Sequence, residues 1–148
     1  MGNNDQFRLQ QILNYKSGKV DTLEVEFTQL KTAYQNEVDV LRQFQQTRNQ
    51  GVSALHQHQH GKLNCDTIQL HHQYLQTLDE FIAQQTILVE EAKYKVDIKR
   101  DELVRVVKDQ KTLEKLRDNH LAERKRDLYR REARIVDDLV TSRYGRGK

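Results

Sequence analysis

Apolar residues recur along this chain at alternating steps of four and three, in two separate tracts. The repeat runs from Leu9 to Phe44 in the first tract and from Ile68 to Leu113 in the second. A repeat of this period keeps one apolar stripe of a helix facing a partner helix as the two supercoil. The pattern therefore predicts an all-α protein in which two long helices form a coiled coil. The same register also contains polar residues, among them Lys16, Glu37, Arg48, Gln85, Lys99 and Gln110.

The stretch 49–66 interrupts the repeat. It contains Gly51, Gly61 and a run of alternating His and Gln, and such Gly-containing polar segments are typical of turns. Two helices joined by so short a loop must run antiparallel. We expect a single coiled-coil domain over residues 1–148, with helix one at about 5–52, a loop at about 53–65, helix two at about 66–143 and a disordered tail at 145–148.

The predicted loop centre near residue 58 implies which residues face each other. In an antiparallel hairpin the numbers of paired residues sum to a constant, here roughly 116 to 120, so residue 5 should lie opposite about 111–115. Everything from about Leu116 to Tyr144 should then form a helical overhang. The apolar stripe also shifts by four residues after Leu113, and such an insertion locally unwinds a coiled coil. The stripe resumes at Leu121, Leu128, Ile135 and Leu139.

An overhang that carries an apolar stripe invites a docking partner, because an isolated helix of this length is marginally stable in water. A frayed amphipathic tail and a homodimer through the stripe are the alternatives. The end of helix two is also rich in Lys and Arg, which suits an acidic protein surface, a membrane surface or nucleic acid. Acidic residues interspersed at Glu114, Asp118, Glu123, Asp127 and Glu132 argue against nucleic acid.

Composition agrees with a coiled coil. The chain has no proline, 32% charged residues and 36% hydrophobic residues, which is enough for one apolar seam and too little for a thick globular core. No apolar run approaches the roughly 18 residues that a membrane span needs, and no signal peptide is expected. The single cysteine, Cys65, excludes an intrachain disulfide and fits a reducing cytosol.

Metal binding is the other chemistry to consider. Imidazole and thiolate are good ligands for zinc, copper or nickel, and six such side chains lie close together in the sequence. Their spacing matches no established zinc motif, so we interpret the segment as a polar linker and expect no metal and no cofactor. The six residues are His56, His58, His60, Cys65, His71 and His72.

Three segments resemble the flagellar export protein FliJ family. Residues 6–16 resemble the F-x-L-x-x-(I/L)-L opening of that family's first helix, and residues 74–82 resemble its Y-L-x-x-L-x-x-x-I element after the hairpin loop. Residues 113–117 followed by 130–139 resemble its L-E-K-L-(K/R) and E-x-(R/K)-x-x-D-(D/E) elements. The His-rich loop has no counterpart in the family's pattern.

The resemblance implies a non-enzymatic stalk of the flagellar type III export apparatus, cytoplasmic and peripheral to the inner membrane. Such a stalk binds the pore of the hexameric export ATPase, promotes its assembly and activity, and contacts the export gate and export chaperones. A stalk of a virulence secretion system, or a generic coiled-coil adaptor, remains the alternative. We expect the ATPase to contact Phe7, Leu9, Leu13, Leu121, Arg124, Arg126, Leu128, Arg130, Arg131, Arg134 and Ile135. We expect the gate to contact Val40, Phe44, Tyr74, Leu78 and Phe81 near the hairpin loop.

Overall fold

Two α-helices make up the computed structural model, which describes residues 8–59 and 65–146. Helix α1 spans Gln10–Gln59 and helix α2 spans Cys65–Arg146, and there is no strand within the described residues. The two helices pack against each other, which confirms the predicted all-α coiled-coil hairpin. Every apolar or polar member of the predicted repeat up to Leu113 is buried or half-buried. The sequence pattern therefore identified the packed face of both helices.

Helix α1 continues seven residues beyond its expected end near residue 52. The reason lies at Gly51, where an added Cβ would meet Cδ2 of Leu75 at 3.1 Å and Cε1 of Tyr74 at 3.5 Å. The missing side chain lets α2 approach closely, and Leu55, 8% exposed, extends the apolar seam past this point. Packing on α2 therefore outweighs the weak helix propensity of one glycine.

Helix α2 also exceeds its expected bounds. It begins at Cys65 and continues to Arg146, so residues 145 and 146 are helical although the sequence suggested a disordered tail from 145. The predicted start of helix one at residue 5 lies outside the described residues. The predicted loop centre near residue 58 is wrong, because that residue lies within α1.

The register of the hairpin differs from the expected one. Gln85 pairs with Glu37 and Arg48 pairs with Asp79, so paired numbers sum to 122 and 127 rather than to 116–120. The cause is the extension of α1, which moves the midpoint between the two helices from about residue 58 to about residue 62. Residues at the start of α1 are therefore paired several positions further along α2 than the sequence predicted.

The structure divides into two compact units, of which one comprises Thr22–Leu103. Its apolar core includes Leu23, Leu55, Leu78 and Val96. Gln85, only 6% exposed, donates from Nε2 to the backbone carbonyl of Glu37 at 2.9 Å and to its carboxylate at 2.5 Å. Polar residues of the seam thus find partners on the opposite helix, as buried polar groups must.

A second polar contact in this unit joins Lys99 to α1. Lys99 Nζ donates to Oε2 of Glu26 at 2.8 Å and lies 3.3 Å from Oε2 of Glu102. The hydrogen bond to Glu26 raises the pKa of Lys99 above its usual range, with desolvation acting in the opposite direction and Glu102 adding to the rise. The ammonium is therefore held in its charged form within the seam.

The other unit comprises Met1–Asp21 with Val104–Lys148. Leu13, Val20 and Val106 are its buried apolar residues, at 2%, 6% and 5% exposed. Lys16 Nζ lies 3.2 Å from Oδ2 of Asp109, which ties α1 to α2 within this unit.

Candidate docking surfaces on helix α2

The packed face of α2 changes character after Leu113. Its half-buried positions continue at steps of four, three and four as Arg117, His120 and Arg124. These positions preserve the register of the seam, but they carry polar side chains. The apolar stripe has moved to another face, which agrees with the phase shift read from the sequence.

The displaced stripe is open to solvent. Leu121, Leu128, Ile135 and Leu139 are 53%, 54%, 58% and 61% exposed. Tyr129, Val136 and Val140 broaden it on one side and are also exposed. Contiguous apolar exposure of this kind typically marks an interaction site.

A row of arginines follows the same helix. Arg126, Arg130 and Arg134 are exposed and spaced four residues apart, so they lie along one side of α2. At 100° per residue this row lies about 160–240° around the helix from Leu128. Arg130 approaches Oδ1 of Asp127 at 3.9 Å, a contact between two exposed groups that screens little of the positive charge. Residues 116–148 contain ten Lys or Arg and six Asp or Glu.

The remaining residues expected to contact the ATPase occupy different environments. Leu13 is 2% exposed and holds α1 against α2, so it supports the fold and offers no surface. Leu9 and Arg124 are half-buried, and Arg131 is exposed. Phe7 lies outside the described residues.

The residues expected to contact the export gate lie in the unit Thr22–Leu103. Tyr74 and Phe81 are 49% and 45% exposed, and Val40 is 36% exposed. Phe44 and Phe81 stack across the two helices, with ring centroids 5.9 Å apart and planes at 26°. Phe81 therefore broadens the seam and still presents part of its ring to solvent. Leu78, only 6% exposed, belongs to the core.

Beside Tyr74, an open groove of about 480 Å³ is lined by residues of both α1 and α2. Gly51 and Ala54 form one wall, and Leu70 and His71 form part of the other. Leu70 is 65% exposed and falls outside the heptad register, so periodicity did not identify it. The small residues of α1 facing large residues of α2 are the sequence signal that could have indicated this groove.

The described histidines and cysteine do not assemble a metal site. No group of three or more potential metal ligands comes together within residues 8–59 and 65–146. His60 and the side chain of His58 lie outside the part of the chain that the structure describes.

In the described residues 8–59 and 65–146, no helix is both long and apolar enough to cross a membrane. The fold and its surfaces define a class: an antiparallel coiled-coil hairpin whose longer helix carries an exposed apolar stripe and, on its far side, a row of exposed arginines. The chain belongs to the FliJ family, because the family described as "Flagellar FliJ protein" matches residues 5–148. No curated protein and no solved structure matches it significantly.

Family membership confirms the resemblance read from the sequence. It makes the chain a component of flagellar protein export, of the stalk type, in a family whose role is structural rather than catalytic.

Proposed function

We propose that this protein is the stalk of the flagellar type III export ATPase, and that residues 116–146 of α2 enter the pore of the hexameric ring. The observation that carries the proposal is the exposed apolar stripe around Leu128 and Ile135, which shares a helix with a row of exposed arginines. A helix inside a ring is surrounded on all sides, so both of its faces find contacts there.

The two faces have different roles in this proposal. The stripe supplies apolar area, which drives association. Arg126, Arg130 and Arg134 meet acidic groups of the pore, and contacts between exposed charges mainly raise the association rate and weaken with salt. Binding of the stalk promotes ring assembly and ATP hydrolysis.

The surface of the unit Thr22–Leu103 around Tyr74 and Phe81 links the ATPase to the export gate and to export chaperones in this proposal. Tyr74 and Phe81, with Val40 beside the seam, form the gate-contacting surface in this proposal. Phe44 acts through its stack on Phe81, and Leu78 acts by holding the helices together. The protein works in the cytoplasm and reaches the inner membrane through these partners.

The ATPase contact is tested with the full-length chain and the hexameric export ATPase, by measuring ATP hydrolysis against stalk concentration. The triple variant Arg126→Glu, Arg130→Glu and Arg134→Glu should need at least about tenfold more protein for half-maximal stimulation, a change of roughly 1.4 kcal/mol in binding. Stimulation by the unaltered chain should decline as salt rises, and that decline should be smaller for the variant.

A matched control reverses three exposed charges elsewhere on α2: Lys93→Glu, Lys95→Glu and Arg105→Glu. It changes net charge equally but leaves the C-terminal segment intact, so stimulation should stay within about twofold of the unaltered chain. Equal stimulation by the two triple variants, with helicity confirmed by circular dichroism, would contradict the proposed ring contact.

The gate contact is tested by binding to the cytoplasmic domain of the export gate. Tyr74→Ala should weaken binding, and Tyr94→Ala is the control because Tyr94 is an exposed tyrosine, at 67%, on the same helix. Phe81→Ala should also weaken binding, although it removes the stack on Phe44. Gate binding that Tyr74→Ala and Tyr94→Ala leave equally strong would place the contact elsewhere.

A further inference from the structure

No other element among the described residues covers the apolar stripe of α2. The spacing of its apolar residues suits packing against the same stripe of a second copy. We infer that in the free protein a second copy of this chain packs antiparallel on the stripe, with a two-fold axis near Arg131 and Glu132. The self-association follows from the stripe alone. Its regulatory consequence, given below, rests on the proposed function.

Self-complementarity follows from the spacing of the stripe. In an antiparallel pair whose facing residue numbers sum to about 262, Leu128 faces Ile135 of the second copy. Leu121 faces Leu139 of the second copy in the same register. Two-fold symmetry repeats each contact, so all four apolar side chains, each more than half exposed in one copy, become covered.

The charges beside the stripe fit the same register. Arg124 lies opposite Asp138 of the second copy, on the same lateral side, and symmetry again produces the pair twice. At the axis, Arg131 lies opposite Arg131 of the second copy, an exposed like-charge contact that opposes the pair only weakly. Flanks that carry both signs of charge suit a second copy, whereas a uniformly acidic partner would be repelled by Asp138 and Glu132.

The contact closes on itself. An isologous two-fold interface uses the same patch on both copies and leaves no stripe exposed, so it yields dimers rather than filaments. The row of Arg126, Arg130 and Arg134 lies on the far side of the helix and takes no part. If the same segment enters the ATPase ring, dimer and ring compete for it, and self-association keeps the stripe covered until the ring is available.

The experiment measures the mass of the full-length chain in solution by sedimentation equilibrium over a range of concentrations. The unaltered chain should form a concentration-dependent dimer. Leu128→Lys and Ile135→Lys should each weaken it by at least about tenfold, because each places a charge on the apolar stripe in both copies. Tyr94→Lys, at an exposed apolar position outside the stripe, should dimerise like the unaltered chain.

Charge reversal tests the orientation of the pair. Arg124→Asp alone and Asp138→Arg alone should each weaken the dimer, because each creates two like-charge contacts. An equimolar mixture of these two variants should dimerise again, since every such pair in the mixed dimer then has opposite signs. Circular dichroism verifies that each variant is folded. A parallel dimer would not show this recovery and would overturn the inference.

A chain that stays monomeric up to roughly 100 µM would also overturn it, and would leave the ring or another partner as the occupant of the stripe. If the proposed function is wrong, these experiments give a different set of results. In that case the triple arginine variant stimulates the ATPase normally, whereas Leu128→Lys still weakens the dimer.

Discussion

Replacing Gln85 tests how a polar residue is accommodated in an apolar seam. Gln85 is 6% exposed, and its amide donates to both the carbonyl and the carboxylate of Glu37 on the opposite helix. Gln85→Ala removes both hydrogen bonds and leaves unfilled space in the seam. Glu37→Leu combined with Gln85→Leu instead replaces both partners with apolar side chains.

The expected magnitudes follow from these contacts. A hydrogen bond to a charged group contributes about 1.5–3 kcal/mol, and the half-buried position of Glu37 favours the lower part of this range because water can reach its carboxylate. With the lost packing, Gln85→Ala should lower the free energy of unfolding by about 2 kcal/mol, or roughly 4–8 °C in Tm. The double leucine variant should be more stable than the unaltered chain by about 1–2 kcal/mol.

The assay is urea unfolding of the full-length chain, followed by the helical ellipticity. Gln84→Ala, at the exposed neighbouring position, is the control and should change stability by less than about 0.5 kcal/mol. A Gln85→Ala change as small as that control, or a double leucine variant less stable than the unaltered chain, would refute the reasoning.

Two further predictions concern a pair of glycines and one lysine. Gly18→Ala should raise the free energy of unfolding by about 0.5–1 kcal/mol, because an added Cβ would meet nothing within 4 Å. Gly51→Ala should gain less, because its Cβ would approach Leu75 at 3.1 Å; equal gains in thermal unfolding would contradict this. Glu26 raises the pKa of Lys99 in the folded state, so the stabilisation is present below the unfolded pKa, roughly 10.4, and is lost as pH rises through the folded value. Unfolding measured between about pH 9 and 11.5 should show this loss, and Glu26→Gln should reduce it; identical profiles would exclude the contact as its cause.

Periodicity was sufficient to predict most of the packed face. Leu13, Leu23, Val96 and Val106 are buried where the heptad repeat placed them. Periodicity also separated the stripe at Leu128 from the seam, because a shift of phase moves a stripe around a helix whatever it packs against.

The turn was harder to predict, because its position depends on packing between the helices. Gly51 lies in the stretch that interrupts the repeat, but in the structure it is a helical residue with side chains of Leu75 and Tyr74 close beside it. Local composition signals a break without revealing that Leu75 of the other helix fills the space beside it. The shift of the turn then changed the register of every pair.

The sequence predicted which residues belong to the candidate surfaces, but it did not predict what each of their side chains contacts. Tyr74 and Phe81 lie outside the strict heptad register of α2, and the stack of Phe81 on Phe44 appears only when both helices are in place. Leu13 and Leu78 were expected at partner contacts, yet both lie in the seam. A heptad position alone cannot distinguish a residue that binds a partner from one that binds the other helix.

The sequence by itself determined the fold class, the antiparallel pairing, the seam and the family. These depend on the spacing of apolar residues along each helix, which is a local property of the chain. Tertiary structure alone decided the register, the partner of Gln85 and the half-burial of Arg117, His120 and Arg124 after Leu113. The physical reason is that each depends on which residues of the opposite helix lie alongside, and a sliding helix can satisfy the same apolar period in more than one register.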